Sequence, residues 1–264
     1  MKKWFSTGCV LGLALTVAGC TTAPITGRKQ VKLVSDSAMI AQSAGSYREV
    51  IAEGPLSTNR KQTEQLQRVG ERIAAAVETY FRDQNRSELV SGFEWEFNLI
   101  EQDVPNAWCM PGGKVAFYTG ILPFTQDETG MAVVMGHEIA HAVVGHGAER
   151  VSHAMIQQGG GYLLSLFSKN SDYHGAIMEV YGLGSELGGI LPYSRVHESE
   201  ADRLGLIFMA MAGYNPQASI GFWSRMAVAG NGAPPEFLST HPSDETRIRE
   251  LNEHMPEAMG YYRP

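Results

Sequence analysis

The sequence is short of cysteine, of clustered positive charge and of long apolar runs, and each shortage disfavours a class of protein. Three cysteines, Cys9, Cys20 and Cys109, are too few for a disulfide framework. Twenty-one Lys and Arg residues face 28 Asp and Glu residues, giving a formal net charge of −7, and the basic residues never form a block of five. This balance argues against nucleic acid as a partner. The apolar runs are too short, or too often broken by charged residues, to predict a membrane-spanning helix.

The N-terminus has the parts of a bacterial secretion signal. Two lysines supply positive charge, residues 10–17 (VLGLALTV) form a short apolar segment, and small residues precede Cys20. The segment Val17–Cys20 resembles a lipobox, which implies cleavage after residue 19 and a lipid on the Cys20 thiol. The absence of Asp after Cys20 implies, by the same resemblance, sorting to the outer membrane. The alternative is an ordinary secretory signal in which Cys20 has no special role. Polar residues 21–34 predict a tether between the lipid and the domain.

The most informative stretch is HEIAH, residues 137–141. No Pro or Gly interrupts residues 137–144, so this stretch is predicted to be helical. His137 and His141 are then about 40° apart in projection and one turn apart, and their imidazoles can bind one ion at roughly 2.0–2.1 Å. Glu138 lies about 100° round from His137, close enough to act on a water at that ion without occupying a ligand position. This is the arrangement of a zinc hydrolase, with two His ligands and a Glu general base.

A small sheet is predicted before this helix. Residues 94–100 alternate polar and apolar side chains, which predicts a half-buried strand. Residues 106–110 and 114–119 flank a Pro-Gly-Gly turn, which predicts a hairpin. Such a sheet can offer an edge strand, here near Asn106 and Ala107, to an extended substrate, or can simply pack on the helix; the sequence leaves both open.

The remaining segments are predicted to form two helices with a structural role and a glycine-rich region. Helices are predicted over residues 35–53 and about 59–82, where capping residues precede apolar positions at helical spacing. Cys109 is expected to be a small buried side chain rather than a nucleophile. The glycine-rich region 155–190 predicts either close helix contacts or a mobile lid.

A second helix with acidic residues is predicted after residue 193. Glu198 and Asp202 are four residues apart and therefore share one face of it. One carboxylate would complete a His₂Glu zinc site while the other holds a ligand imidazole. Glu200 is a rival ligand, although it points about 200° away from Glu198. Taken alone, Glu198 is better explained as part of a solvated acidic face.

Two further histidines are candidate ligands by residue type. His146 would lie about 180° round from His137 on the same helix, and therefore could not share its ion. His153 belongs to no ligand spacing with the HEIAH pair. Structural roles are expected for both.

The ordered set of motifs resembles metallopeptidase family forty-eight. The set consists of HEIAH, the ExxxD pattern beginning at Glu198, 57 residues after His141, and the segment Ser239–Pro242 (STHP). The similarity runs over about residues 40–262. The family includes the CaaX prenyl proteases, the mitochondrial Oma-type stress protease and bacterial periplasmic quality-control proteases, and the C-terminal part here is most similar to the Oma-like branch. The resemblance implies an α+β fold, mostly helical, with a small mixed sheet beside the metal-binding helix.

The resemblance also implies how one zinc ion would be held and used. His137, His141 and Glu198 would be its ligands, and Glu138 would be the general base. The zinc would polarise the scissile carbonyl and acidify a water molecule.

Residues outside these four receive supporting roles from the same resemblance. Asp202 would hold a ligand imidazole, and Arg247 would anchor the segment that carries His241. Asn106 and Ala107 would belong to the substrate strand. His241 would lie near the metal, where it either stabilises the oxyanion or serves as a removable fourth ligand that keeps the enzyme latent.

We therefore expect residues 35–264 to form a zinc metalloendopeptidase domain, behind a signal peptide (residues 1–19) and a lipidated N-terminus and linker (residues 20–34). Its substrates would be misfolded or unassembled proteins of the cell envelope. Its membrane contact would be the lipid, and its location the outer membrane, facing the periplasm. A different class of function is an envelope chaperone or assembly factor that keeps the zinc site but rarely cleaves.

Overall fold

The computed structural model describes residues 20–157, 174–181, 183, 194–229, 237–238, 241 and 245–264. Five strands lie in these ranges: β1 (Cys20–Thr22), β2 (Lys29–Val31), β3 (Glu96–Ile100), β4 (Ala107–Met110) and β5 (Lys114–Tyr118). The α-helices of the same ranges are α1 (Asp36–Glu53), α2 (Arg60–Asp83), α3 (Leu122–Thr125), α4 (Glu128–Val144), α5 (His146–Gln157), α6 (His174–Val180), α7 (Arg195–Met211), α8 (Ala218–Ala229) and α9 (Glu245–Tyr261). The predicted α+β class, mostly helical, is confirmed.

The three-stranded sheet has the order β3-β5-β4 and is mixed, because β3 pairs with β5 in parallel and β4 pairs with β5 antiparallel. The predicted hairpin is therefore confirmed. Gly112 and Gly113 form its turn with φ of 88° and 80°, a left-handed conformation that favours glycine. A side chain at Gly113 would also meet the Trp95 ring at 2.7 Å. The strand β4 is one edge of this sheet.

The first two long helices begin where their capping residues predict. The Ser35 side chain accepts a hydrogen bond from the Ala38 N–H, and the Asn59 side chain accepts one from the Gln62 N–H. One face of α2 is buried in the main core through residues at three- and four-residue spacing, namely Leu66, Val69, Ile73, Ala76, Val77 and Tyr80.

The helix α4 lies at the centre of the core, with every residue from Gly130 to Val144 buried. Such a helix is apolar on nearly all sides because it is surrounded by other elements. Its neighbour α7 approaches to backbone contact, since a Cβ on Gly136 would lie 2.8 Å from the Gly205 carbonyl oxygen. The helix ends at Gly145, whose φ of 80° turns the chain into α5.

The N-terminal segment differs from the predicted tether. β1 and β2 form an antiparallel hairpin, and Ala23 and Gln30 are buried against the domain. The Gln30 side chain donates to the Val144 carbonyl at the end of α4. The reason is that this segment carries an apolar side chain, Ala23, and a hydrogen-bonding one, Gln30, that are buried against the domain, Gln30 at the C-terminal end of α4. The signal region before Cys20, and most of the glycine-rich region 155–190, lie outside the described residues. Among the described residues, no helix is both long and apolar enough to cross a bilayer.

Candidate functional site

Four buried side chains from α4, α7 and the segment after α8 bring their ligand atoms together. His137, His141, Glu198 and His241 each offer one atom, and these atoms all lie within 4.8 Å of one another. His141 Nε2 is 3.0 Å from His137 Nε2, which is 3.2 Å from His241 Nδ1. The Glu198 carboxylate is 3.3 Å from His141 Nε2, 3.5 Å from His137 Nε2 and 3.2 Å from His241 Nδ1. These four side chains are called the cage below.

The size and chemistry of this cage fit a zinc ion. Ligand atoms placed tetrahedrally at roughly 2.0–2.1 Å from zinc are about 3.3 Å from one another. The five distances given above, between 3.0 and 3.5 Å, lie on both sides of that value, and all four donor atoms lie within 4.8 Å of one another. Three imidazole nitrogens and one carboxylate are a donor set that suits zinc. All four residues are at most 4% exposed, so a cation here would be shielded from water.

The helices α4 and α7, which carry three of these groups, are in backbone contact at two glycines. His137 follows Gly136, and a Cβ on Gly205 would lie 2.9 Å from the His137 amide nitrogen. The α7 helix starts at a Ser194 cap that accepts from the His197 N–H, which places Glu198 in its first turn. The predicted same-face relation of Glu198 and Asp202 is therefore realised opposite the HEIAH motif.

Behind the cage, Arg247 on α9 joins the two carboxylates of α7. It donates to Glu198 Oε2 at 2.9 Å and to Asp202 Oδ1 at 2.7 Å. Asp202 Oδ1 is in turn 2.9 Å from His137 Nδ1, so this ring nitrogen is directed away from the cage. The guanidinium lies over the Trp223 ring at 3.2 Å. The sequence shows no sign of the role of Trp223. A Trp at an apolar helix position shows the same pattern whether its ring contacts an arginine or only packs in the core.

Burial and neighbouring charges shift the pKa values of three members of the cage. Burial lowers the pKa of His137, but the nearby carboxylates of Glu198 and Asp202 outweigh it and raise this pKa to about 9. For His141, burial dominates and its pKa falls well below the usual value. Burial opposes ionisation of Glu198, yet His241, Arg247 and His137 hold its pKa well below the ordinary range. The carboxylates of Glu198 and Asp202 therefore favour a positive charge at His137.

Glu138 lies beside the cage and outside it. Its side chain is 2% exposed, and burial raises its pKa. Its Oε1 makes no hydrogen bond with the described residues, and His241 Nε2 is 3.4 Å away. Both side chains line a small cavity together with Asn106, Ala107, Trp108, Arg150, Val180 and Tyr181. A buried carboxylate oxygen facing a cavity is placed to receive a proton from a water there.

Neither His146 nor Glu200 joins the cage. The sequence argument placed His146 on the same helix as His137, and this is wrong, because Gly145 ends α4 and His146 opens α5. The turn brings His146 Nδ1 to 2.8 Å from His141 Nδ1, on the side away from the cage. Glu200 contacts His146 Nε2 at 3.0 Å, so the predicted divergence of Glu200 from Glu198 holds. His153 is exposed.

The edge strand β4 runs beside Glu138. The Tyr118 N–H donates to the Asn106 carbonyl, and pairing alternates along an antiparallel ladder, so the backbone groups of Ala107 and Cys109 point away from β5. The Ala107 N–H is bonded to the Asn106 side-chain oxygen at 2.9 Å. Asn106 and Ala107 are 3% and 1% exposed, so this edge is covered in the structure.

Cys109 is buried on the same strand and is a free thiol. Burial raises its pKa well above the usual value, so the reactive thiolate is disfavoured. The predicted role as a small buried side chain fits this environment.

Comparisons with known proteins agree with the motifs and the cage. The model of peptidase family M48 matches residues 60–255. The mitochondrial metalloendopeptidase OMA1 of Schizosaccharomyces pombe is 33% identical over 241 residues, covering 89% of this chain and 66% of that protein. OMA1 of Homo sapiens is 32% identical, covering 64% of this chain and 34% of that protein. The beta-barrel assembly-enhancing protease of Yersinia pestis is 27% identical, covering 77% of this chain and 41% of that protein.

The chain thus spans about two thirds or less of the length of these relatives. The family match covers all members of the cage, the general-base candidate Glu138 and the edge strand. The predicted resemblance to the Oma-like branch is confirmed by the relatives at 32–33% identity. The chain belongs to peptidase family M48.

Proposed function

We propose that the protein is a zinc-dependent endopeptidase in which His137, His141 and Glu198 hold the metal and Glu138 is the general base. The observation that carries the proposal is the cage itself, whose four donor atoms converge within 4.8 Å of one another and would hold a zinc ion beside a buried carboxylate. Membership in a metallopeptidase family supports the same conclusion.

The residues of the chain supply the proton transfer and the orientation of the site. When bound, zinc supplies a Lewis acid that polarises a carbonyl and lowers the pKa of water to about 7. Glu138 takes a proton from the attacking water and later gives it to the leaving amine. Its raised pKa suits this task, since a buried carboxyl holds a proton more readily than an exposed one. Asp202 keeps His137 oriented, and Arg247 fixes both Asp202 and Glu198.

The substrate would add to β4 as an extended strand. The outward backbone groups of Ala107 and Cys109 would serve as ladder partners once the edge is uncovered and the Asn106 side chain releases the Ala107 N–H, and β4 leads past Glu138. A peptide in this register would present a backbone carbonyl to the cavity that Glu138 lines. Recognition through the main chain would accept many sequences, which suits substrates defined by an unfolded state.

The test compares wild type with Glu138→Gln on an unfolded protein substrate, with zinc content measured in both. We expect cleavage to fall by about a hundredfold or more while one zinc per chain remains. Glu138→Gln that cleaves normally would contradict the role of Glu138. A wild type that binds zinc but never cleaves, and whose biological role survives Glu138→Gln, would favour a chaperone or assembly factor instead.

We further propose that His241 is the removable fourth ligand. Its Nδ1 lies 3.2 Å from both His137 Nε2 and Glu198 Oε1, so with zinc bound it would take the position that a catalytic site leaves for water. The Phe237 N–H donates to the Pro105 carbonyl, and the His241 N–H donates to the Phe237 carbonyl. A substrate that pairs with the strand after Pro105 would disturb this link and release His241. The predicted gate, residues 230–235, lies outside the described residues.

His241→Ala distinguishes the two roles by opposite signs. Removing a blocking ligand should raise basal cleavage of an unfolded substrate, whereas removing an oxyanion donor should lower it by about a hundredfold or more. Phe237→Leu is a second variant, because Phe237 stacks on the His241 ring at 4.6 Å and its loss should loosen the blocking ligand in part. A large fall in rate in His241→Ala with zinc still bound would contradict the proposal.

Finally, we propose that the chain is anchored by a lipid on Cys20 and acts on envelope proteins. The support is the lipobox-like sequence before Cys20 and the likeness to the Yersinia pestis beta-barrel assembly-enhancing protease. Mass spectrometry of the N-terminal peptide should show a diacylglyceryl adduct on Cys20. A Cys20→Ser protein that fractionates with membranes as wild type does would exclude the anchor.

A further inference from the structure

A second buried cluster of charged and polar side chains lies behind His141, opposite the cage. Its members come from the N-terminal hairpin, from α5 and from α7: Thr26, Arg28, His146, Glu149, His197 and Glu200. His146 is completely buried, and Glu149, His197 and Glu200 are at most 5% exposed. Ionisable groups are rarely buried to this degree unless they are bonded to one another. None of them has a part in the chemistry proposed above.

A hydrogen-bonded path joins the cluster to the metal cage. His141 Nδ1 is 2.8 Å from His146 Nδ1, and His146 Nε2 is 3.0 Å from Glu200 Oε2. A carboxylate only accepts, so His146 Nε2 carries the hydrogen and His146 Nδ1 is the acceptor. His141 Nδ1 must then be a donor. This tautomer leaves His141 Nε2 with its lone pair directed into the cage, as a metal ligand requires.

Arg28 holds the far end of this path from the N-terminal hairpin. Its Nε donates to Glu200 Oε2 at 3.0 Å, and its two terminal nitrogens donate to the two oxygens of Glu149 at 2.9 and 2.8 Å. Thr26 also donates to Glu200. Without Arg28, two buried carboxylates would face each other with no arginine between them, and Glu200 would be free to move away.

The ring of His197 packs against His146 and restrains it. His197 stacks on His146 with a centroid distance of 4.4 Å and an interplanar angle of 24°, and its Nε2 is 3.0 Å from Glu149 Oε2. His146 is therefore fixed by a ring on its face, a carboxylate at one nitrogen and His141 at the other. This degree of restraint exceeds what a space-filling core histidine needs.

We propose that Arg28, Glu200 and His146 are positioning residues for the metal, forming a relay that fixes the tautomer and orientation of His141. The N-terminal hairpin is then a structural part of the metal site rather than a spacer. This inference rests on the proposed function in one respect, namely that His141 is a zinc ligand. Partners of this kind typically change metal affinity by about 10- to 100-fold when they are removed.

The experiment measures the zinc dissociation constant by chelator competition for wild type, Arg28→Gln, Glu200→Gln and His146→Phe. We expect each relay variant to bind zinc about 10- to 100-fold more weakly, and Glu198→Gln, which removes a ligand, to lose more. The matched control is Arg86→Gln. Arg86 also holds the hairpin, through the Pro24 carbonyl at 3.2 Å, but touches no relay residue, so its zinc affinity should stay within about twofold of wild type.

Two outcomes would overturn the relay. One is wild-type zinc affinity in all three relay variants; the other is an equal loss in Arg86→Gln, which would show a general effect of hairpin docking. A second measurement does not depend on the variants: nitrogen-detected NMR of the metal-free wild type should show the hydrogen of His141 on Nδ1. The Nε2–H tautomer would contradict the relay. If wild type binds no zinc at all, the proposed function fails, whereas the tautomer still tests the relay.

Discussion

Gly205 is the position where a single methyl group would test how the site is built. A Cβ there would lie 2.9 Å from the His137 amide nitrogen, 3.0 Å from the Gly136 carbonyl carbon and 3.1 Å from the His137 Cα. Non-bonded carbon atoms pack favourably at about 3.5–4.0 Å. All three neighbours are backbone atoms of a buried helix and cannot turn aside. Gly205→Ala must therefore push α4 and α7 apart by roughly 0.5–1 Å.

Two opposing terms set the expected loss of stability. Overpacking of a well-filled core costs about 1–3 kcal/mol, and replacing Gly by Ala inside a helix recovers roughly 0.5–1 kcal/mol. Together these terms predict that the metal-free protein loses about 0–2.5 kcal/mol of unfolding free energy. The separation also moves Glu198 relative to the His137 and His141 rings. Sites of this type tolerate displacements of about 0.5 Å, so zinc affinity should fall by about tenfold or more.

The assay is denaturant unfolding in the presence of a chelator, followed by zinc titration against a competing chelator. Gly45→Ala is the control, because Gly45 lies within α1 and an added Cβ would meet nothing within 4 Å. That variant should be stabilised by about 0.4–1 kcal/mol with unchanged zinc affinity. A Gly205→Ala protein with the stability and zinc affinity of wild type would refute the argument that glycine contact sets the helix spacing.

Two further predictions concern the charges on either side of the cage. Arg247→Met should destabilise the metal-free protein by about 3–5 kcal/mol, because it leaves the buried carboxylates of Glu198 and Asp202 without their arginine. Bound zinc should recover part of this loss of unfolding free energy. Equal losses with and without zinc would contradict the prediction. Burial opposes ionisation of Glu149, yet hydrogen bonds from Arg28 and His197 lower its pKa below the ordinary value. Its stabilising contribution is therefore complete above the unfolded pKa of about 4.3 and declines as pH falls further. The difference in unfolding free energy between wild type and Glu149→Gln should therefore shrink between pH 7 and about pH 3. A difference independent of pH would contradict the assignment.

Much of the fold could be predicted because local signals agreed with tertiary packing. The caps at Ser35 and Asn59, the Pro-Gly-Gly hairpin and the uninterrupted HEIAH helix all lie where their residue types predict. Only part of the cage could be predicted from helical spacing, which places His137 and His141 on one face of α4. The resemblance to the family, rather than spacing, pointed to Glu198 and His241 as the other two members.

The relay could not be predicted because it depends on one backbone turn. With a continuous helix, His146 would point away from the HEIAH face; the positive φ of Gly145 instead directs it behind His141. The polar composition of residues 21–34 likewise suggested a tether, since sequence alone does not show that Arg28 has buried carboxylates to bind. Long-range ion pairs carry no local pattern, so in the sequence Glu149 is indistinguishable from an ordinary acidic helix residue and Glu200 is recognisable only as a rival metal ligand.

The ligands of the cage differ in how they are attached to the rest of the fold. His137, His141 and Glu198 stand within α4 and α7, whose backbones touch at Gly136 and Gly205, so displacing one of them would require moving a helix. Asp202, Arg247 and His146 each bind one of these three from outside the cage. His241 stands outside the described helices and is joined by its own N–H to Phe237, and through Phe237 to the residue before Asn106. A ligand that must leave for water to enter belongs on such a segment, because it can move without changing the spacing of the other three. Because this link reaches Pro105, the proposed release of His241 would take place next to the strand that an extended substrate would join, so binding of the substrate and opening of the site would be one event.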